Sequence, residues 1–347
     1  MGRMSNFPPS VGGHGGDVEA IERLAAQRSA MVQQLGRAVV GQREVIDNVL
    51  LTLFAGGHTL ITGVPGLAKT LLVRSLGRAL DLAFSRIQFT PDLMPSDITG
   101  TEVLEEDADT GRRRAVFIPG PVFANLVLAD EINRTPPKTQ AAMLETMQER
   151  QVTVGTKTYP LPRPFHVFAT QNPIEQEGTY VLPEAQADRF MFCIQTTYPS
   201  RAEEELVVRN TTGNDVPEMK PVIDGAALLD MQRLVRALPA SDDVIAHAVR
   251  LVGRTRPEDG SAPAYVKEFV RWGASPRASQ FLVLGAKARA ASMGRLCADF
   301  EDVEAVARQV LRHRVLPNFN ARAQKVSVET LLDRLLADTR PGEAQGA

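Results

Sequence analysis

Cysteine is nearly absent from this sequence. Cys193 and Cys297 are the two in 347 residues, and they are far apart with no CxxC pair. That argues against a disulfide framework and against a cysteine zinc site, and it fits a reducing compartment. An excess of either charge is also missing. Lys and Arg number 39 against 41 Asp and Glu, a formal net charge of −2. This balance excludes a strongly basic nucleic-acid coat and a polyacidic tail protein, while leaving room for a local basic channel. No run of 18 apolar residues occurs. The nearest, Asn48 to Ile61, is broken by Gly56, Gly57 and His58, so no membrane span is expected. Residues 1–16 are rich in Gly and Pro and hold no apolar h-region, so they read as a disordered leader rather than a signal peptide. The expected location is cytoplasmic. No internal repeat is evident.

What is present is a chain long enough for two domains, with 44% hydrophobic and 23% charged residues, ordinary values for a globular protein. Apolar residues recur at helical spacing from Asp17 to about Gly36 and again from Arg43 to Ala55. Short apolar runs then alternate with helical segments. His58 to Thr62, Ala83 to Phe89, Asn125 to Ala129, Phe165 to Thr170 and Met191 to Thr196 read as strands. Thr70 to Leu80 and Pro136 to Arg150 read as helices. Continuous apolar strands between helices predict a parallel sheet covered on both faces. Two segments interrupt the alternation: 99–119, which carries Arg112-Arg113-Arg114, and Gln151 to Tyr159, which alternates around Gly155 like a β-hairpin.

After Tyr198-Pro199 the pattern becomes helical. Ser200-Arg201-Ala202-Glu203 is a capping box that opens the first of these helices. The expected organisation is an α/β core at 17–198 and an α-helical lid at 199–338, with a disordered tail at 339–347.

Five short motifs carry the chemistry. Gly63-Val64-Pro65-Gly66-Leu67-Ala68-Lys69-Thr70 lies between a strand and a helix. Glycines there let several backbone N–H groups face one point, beside the positive end of a helix. Lys69 would reach phosphates and Thr70 would hold Mg²⁺ through its hydroxyl. Ala68 stands where a second glycine is usual, and a helical first turn would accommodate it. Leu126 to Ala129 drives a strand through the core and delivers Asp130 and Glu131 at its C-terminal end, the edge where open parallel sheets bind ligands. Asp130 suits a Mg²⁺ shell through water, and Glu131 suits the base that orients an attacking water. Asn172 follows another apolar strand and would stand beside Glu131. Arg189, in Leu182-Pro183-Glu184-Ala185-Gln186-Ala187-Asp188-Arg189-Phe190, could serve a neighbouring subunit's nucleotide. Arg277 follows Ser275, a plausible N-cap, and Pro276, a plausible first helical residue. From there it could reach back to the phosphates.

Taken together these motifs resemble the MoxR family of AAA+ ATPases, from about Asp17 to Leu336. The specific stretches are GVPGLAKT (63–70), ADEINRTPPKTQAAMLETMQE (129–149), TQNPIEQEGTY (170–180), LPEAQADRF (182–190) and GASPRAS (273–279). The resemblance implies a Walker A loop at 63–70, extending to Leu71 as a nucleotide contact, and a Walker B strand at 126–131. It implies sensor 1 at Asn172, an arginine finger at Arg189 and sensor 2 at Arg277. Val40-Gly41-Gln42 would pack near adenine. The segment 99–119 is similar to the family's insert in the second helix, and 151–160 to its insert before sensor 1. Arg134 would act across a subunit interface. The implied cofactors are ATP and Mg²⁺.

The leading functional expectation is an ATP-driven chaperone that works as a ring of identical subunits, six by family expectation. It would remodel partner complexes with a separate von Willebrand factor A domain protein. The alternative is a nucleic-acid motor. Only 112–114 offers a basic run for it, and Glu105, Glu106, Asp107 and Asp109 offset that run. The histidines share no ligand spacing. Trp272 is expected to pack the lid, and Met143 and Met147 to lie in the core.

Overall fold

The computed structural model describes residues 14–106, 113–172, 179–212 and 219–339. Two helices open the chain, α1 (His14–Ala38) and α2 (Arg43–Ala55). α1 starts inside the stretch read as a leader, with Asp17 in its first turn, where a carboxylate complements the positive helix end. The rest of that leader, and the expected tail beyond Thr339, lie outside the described residues.

Then follow β1 (Thr59–Thr62), α3 (Lys69–Ala79), β2 (Phe84–Gln88), α4 (Pro95–Thr99), β3 (Gly100–Glu106), β4 (Arg113–Pro119) and β5 (Leu126–Asp130). After these come α5 (Pro137–Glu149), β6 (Gln151–Val154), β7 (Lys157–Pro160), β8 (His166–Gln171), α6 (Glu184–Ala187) and β9 (Phe192–Gln195). β2, β5, β8, β1 and β9 pair in that order, every pair parallel. All five C-terminal ends therefore share one edge. The strand order reverses beside β1, which opens a crevice at that edge.

Alternation along the strands explains the two-sided burial. Leu126, Leu128 and Phe168 join α2 and α3 in one apolar cluster, while Val127, Ala129, Val167 and Ala169 face α5 in a second, where Met143 and Met147 are buried as expected. Each of the buried Val, Leu, Phe and Met side chains contributes about 1.5–3 kcal/mol by leaving water. The first cluster continues into the helical region. There the elements are α7 (Arg201–Thr212), α8 (Gly225–Ala237), α9 (Asp242–Gly253), α10 (Ala264–Phe269), β10 (Val270–Trp272) and α11 (Pro276–Ser292). The last are α12 (Phe300–Leu311), β11 (Leu316–Pro317), α13 (Phe319–Ala323) and α14 (Val328–Ala337). Ser200 and Glu203 close the expected capping box, with Glu203 Oε2 accepting the Ser200 N–H at 2.8 Å. β10 and β11 form an antiparallel pair within the helices. Strands of two and three residues are too short to show alternation in the sequence. Trp272, on this pair, is 57% exposed and so does not pack the lid interior as expected.

Both interrupting segments are antiparallel hairpins, β3–β4 and β6–β7. Gly155 turns the second with φ +59, a conformation glycine adopts without strain. Phe117 of β4 stacks on Tyr159 of β7 with ring centroids 4.0 Å apart, and Phe123 meets Phe117 edge-on. At the opposite sheet edge, His58 Nδ1 accepts the Val167 N–H at 3.0 Å, and its Nε2 lies 3.2 Å from the Met147 carbonyl. His166 Nδ1 lies 2.9 Å from the Gly57 carbonyl and its Nε2 3.0 Å from the Gln232 amide of α8. Among the described residues, no helix is long and apolar enough to cross a membrane.

Candidate nucleotide-binding site

β1 ends at Thr62 and the chain loops through 63–68 into α3. The loop is pressed against the end of β9. A Cβ on Gly63 would stand 1.9 Å from Thr196 Oγ1, so only glycine fits there. Gly66 turns the loop at φ +84. Ala68 departs from the expectation of a helical turn. It is left-handed, with φ 55 and ψ 19, because the loop makes its last bend at the residue that caps α3. An L-residue there costs about 1 kcal/mol.

Lys69 folds its ammonium back onto the Gly63 carbonyl at 2.5 Å. Partial burial lowers its pKa, against the opposing pull of Asp130 and Glu131. β5 brings those two carboxylates to the same edge. From β8, the Thr170 hydroxyl donates to Asp130 Oδ1 at 2.6 Å and accepts the Glu131 N–H at 2.8 Å. From β2, Arg86 reaches Asp130 Oδ2 through Nε at 2.9 Å and Nη2 at 2.7 Å. Gln88 donates its amide to Glu131 Oε2 at 2.9 Å, and Arg134 Nη1 adds a second bond to the same oxygen at 3.1 Å. Arg86 also donates to Gln88 Oε1. Glu131 holds a left-handed backbone, φ 57, which turns the chain off the strand immediately after Asp130.

Asn172 is buried at the end of β8. It lines a cavity of about 410 Å³ together with Lys69, Thr70, Asp130, Glu131, Arg86, Thr170 and the loop residues Pro65, Gly66, Leu67, Ala68 and Leu71. Gly63 and Val64 line an adjoining cleft of about 560 Å³ with Thr196 and Val328. Val40 and Gly41 are not in the phosphate cavity. They sit at the break before α2, where the Gln42 amide donates to the Thr197 carbonyl at 3.2 Å and so ties them to the end of β9.

Arg86, Gln88 and Thr170 were not singled out in the sequence. No sequence pattern marks them, because the pairing that sets Gln88 in register with Asp130 appears only in the folded sheet.

Two expected contributors lie elsewhere. Arg189 donates through Nη1 to the Leu144 carbonyl of α5 at 2.8 Å. Arg277 does not reach the phosphate cavity of its own chain, because Asp188 holds it at 3.2 Å. The same carboxylate accepts from Ser275 at 2.9 Å and from Arg314 Nε at 2.7 Å. Ser275 thus occupies the N-cap position of α11, but its hydroxyl bonds Asp188 and caps nothing. Burial lowers the Arg314 pKa to about 10 while Asp188 pulls it upward, so the guanidinium stays charged at neutral pH. Arg134, expected at a subunit interface, contacts Glu131 within its own chain.

The basic run is compensated where it is described. Arg113 pairs with Glu106 at 3.2 Å and Arg114 with Glu105 at 3.6 Å, while Arg112, Asp107 and Asp109 lie outside the described residues. The segment 173–178 of the third resemblance stretch lies outside them too.

The donor set fits a magnesium nucleotide. Mg²⁺ takes hard oxygens, one or two carboxylates and the phosphates themselves, and the cavity presents the Thr70 hydroxyl and the Asp130 carboxylate beside two cationic side chains.

The comparisons agree with this geometry. Residues 58–192 match the ATPase family associated with various cellular activities (AAA), and residues 263–335 match the AAA lid domain. The chain is 41% identical to the chaperone MoxR1 of Mycobacterium tuberculosis, over 95% of this chain and 84% of the relative. It is 32% identical to the protein MoxR of Methylorubrum extorquens, over 89% of this chain and 93% of that one. A solved structure of a candidate ATPase from Cytophaga hutchinsonii superposes with a TM-score of 0.84 at 40% identity, covering 92% of this chain and 96% of that one. A P-loop cavity on a five-stranded parallel sheet, an AAA lid match and relatives of this closeness place the chain in the MoxR family of AAA+ ATPases.

Proposed function

We propose that this chain hydrolyses ATP with Mg²⁺ in the cavity at the sheet edge and uses the cycle to remodel partner proteins. The observation that carries the reading is the convergence of Lys69, Thr70, Asp130, Glu131 and Asn172 on that one cavity. Bound Mg²⁺ would neutralise phosphate charge and fix the angle of the terminal group. The chain's own residues do the rest. Lys69 binds the phosphates. Thr70 would hold the metal through its hydroxyl, and Asp130 would hold it through a water. Glu131 orients the lytic water through Oε1, since Oε2 already takes the bonds from Gln88 and Arg134. Asn172 holds the terminal phosphate or that water.

The position of Arg189 outside the cavity supports its service to a neighbouring subunit, and hence a ring, with six subunits as the family expectation. Arg277 shares that surroundings through Asp188. We place the moving parts at the boundary near 197–200, with a core of 17–198 and a lid of 199–338. A separate von Willebrand factor A domain protein is the proposed partner, in the cytoplasm. The name of the mycobacterial relative, a chaperone, supports the remodelling role.

The test is a set of three variants. Lys69→Ala should abolish ATP binding. Glu131→Gln should bind ATP without hydrolysing it, and equal hydrolysis would remove Glu131 as the base. Arg189→Ala should fold and bind ATP yet lose turnover. Capture with Glu131→Gln in ATP, followed by mass spectrometry, identifies the client. Retention of nucleic acid alone would overturn the chaperone reading.

A further inference from the structure

Asp130 is expected to face a divalent cation, yet both of its oxygens are engaged by the chain. Oδ1 takes the Thr170 hydroxyl. Oδ2 takes two N–H groups of one guanidinium, from Arg86. A charge-assisted contact of this two-pronged kind is among the stronger polar interactions. The Arg86 side chain is 45% exposed and projects from β2 into the phosphate cavity, so it can leave Asp130 without disturbing the core. Its charge also matters. Arg86 is paired with Asp130, and Arg134 with Glu131. Without Arg86, Asp130 would lose its guanidinium partner and face the cavity beside Lys69.

We propose that Arg86 is the resident cation of Asp130 in the metal-free site and competes with Mg²⁺ for it, so that Arg86 sets how tightly the loaded site holds its metal. The proposal rests on the reading of this cavity as a magnesium–ATP site. Arg86 is a positioning residue in this role. It acts on the carboxylate and not on the reacting phosphate. Loading the site sets the metal's shell against the guanidinium for the charge of Asp130, and product release is favoured when the guanidinium holds it.

The experiment measures ATP dissociation constants by calorimetry, in MgCl₂ and in EDTA, for the unaltered protein, Arg86→Gln and Arg86→Lys. The readout is the ratio of the EDTA value to the magnesium value, which is independent of turnover. Arg86→Gln should raise that ratio about tenfold, since a charge-assisted contact no longer has to be broken. Arg86→Lys should raise it less, because an ammonium keeps the charge but not the fork. A ratio that is unchanged or lower in Arg86→Gln overturns the proposal and leaves Arg86 as a structural ion pair. Thermal unfolding in EDTA checks that each variant folds, and Arg86→Lys carries the comparison if the glutamine variant does not. If the unaltered protein bound no ATP while Lys69→Ala behaved identically, the nucleotide reading itself would fall, a different result from a flat ratio with tight binding.

Discussion

The side-chain amide of Gln88 donates to Glu131 Oε2 at 2.9 Å, from the edge strand of the sheet to the carboxylate that β5 delivers. The two residues belong to neighbouring strands held by parallel pairing, with Gln88 in register with Asp130. The backbone ladder therefore fixes the amide, and the amide fixes one oxygen of the carboxylate, leaving the other for a water.

The first prediction follows. Gln88→Ala should lower the turnover number for ATP about tenfold with little change in KM, because small losses of alignment at a reacting centre are costly. Steady-state ATPase assays check this. An unaltered turnover number would mean that Arg134 alone positions Glu131.

Ala68 supplies the second. Its left-handed backbone carries strain that glycine does not feel. Ala68→Gly should raise the unfolding free energy by about 1 kcal/mol. Urea denaturation measures it. A loss of stability would show that the methyl group contributes packing that outweighs the strain.

A third prediction concerns Asp302 in the helical region. Its side chain is fully buried between Arg289, at 2.5 Å, and Arg295. It also accepts the Asp299 N–H at 2.9 Å, which closes the capping box of α12. Removing one partner of a buried pair leaves the others uncompensated, so Asp302→Ala should cost about 3 kcal/mol. Burial pushes the Asp302 pKa up, but the bonds from Arg295, the Asp299 N–H and Arg289 outweigh that, leaving it below the ordinary 3.8. A lowered carboxylate pKa gives stability that is present above the unfolded value and lost as pH falls through the folded one. Asp302→Ala should therefore show a shallower acid limb below about pH 4 in a denaturation series.

The fourth prediction is pH-dependent stability from His58 and His166. Burial lowers both from the ordinary 6.5, His58 to about 3 and His166 to about 4. Below pH 6.5 the unfolded chain takes up protons that the folded one refuses, so stability is present above 6.5 and falls with acid. Between pH 6.5 and 5.0 each residue should remove about 1.6 kcal/mol. His313 and His247 are lowered by burial too, so the share of each ring is read by comparing denaturation at the two pH values with His58→Gln and His166→Gln, and ring proton shifts test whether both rings stay neutral at pH 5.0.

Much of this was legible in the chain. The phosphate loop, the strand that carries Asp130 and Glu131, and Asn172 are local patterns, each fixed by a few adjacent residues, and the structure gathers them into one cavity. β1, β5, β8 and β9 were readable because their runs are mostly apolar and buried on both faces, whereas the edge strand β2, with the sequence FSRIQ, is only partly buried. Arg86 was not readable, since one arginine on a strand gives no hint that the next strand's carboxylate faces it. The Asp188 cluster joins residues from three distant parts of the chain, and no spacing rule connects Asp188 to Arg314. Ala68 shows a different limit, because residue type alone does not display a backbone angle.

The ring stack of Phe117 on Tyr159 has a mechanical consequence. A single residue, Arg150, separates the end of α5 from β6, and α5 begins at Pro137, a short turn after Glu131. A tilt of that helix would therefore be handed to the β6–β7 hairpin, and the stacked rings would pass it to the β3–β4 hairpin. The stack therefore couples the two hairpins into one arm, and trimming either ring should leave two arms free to swing on their own.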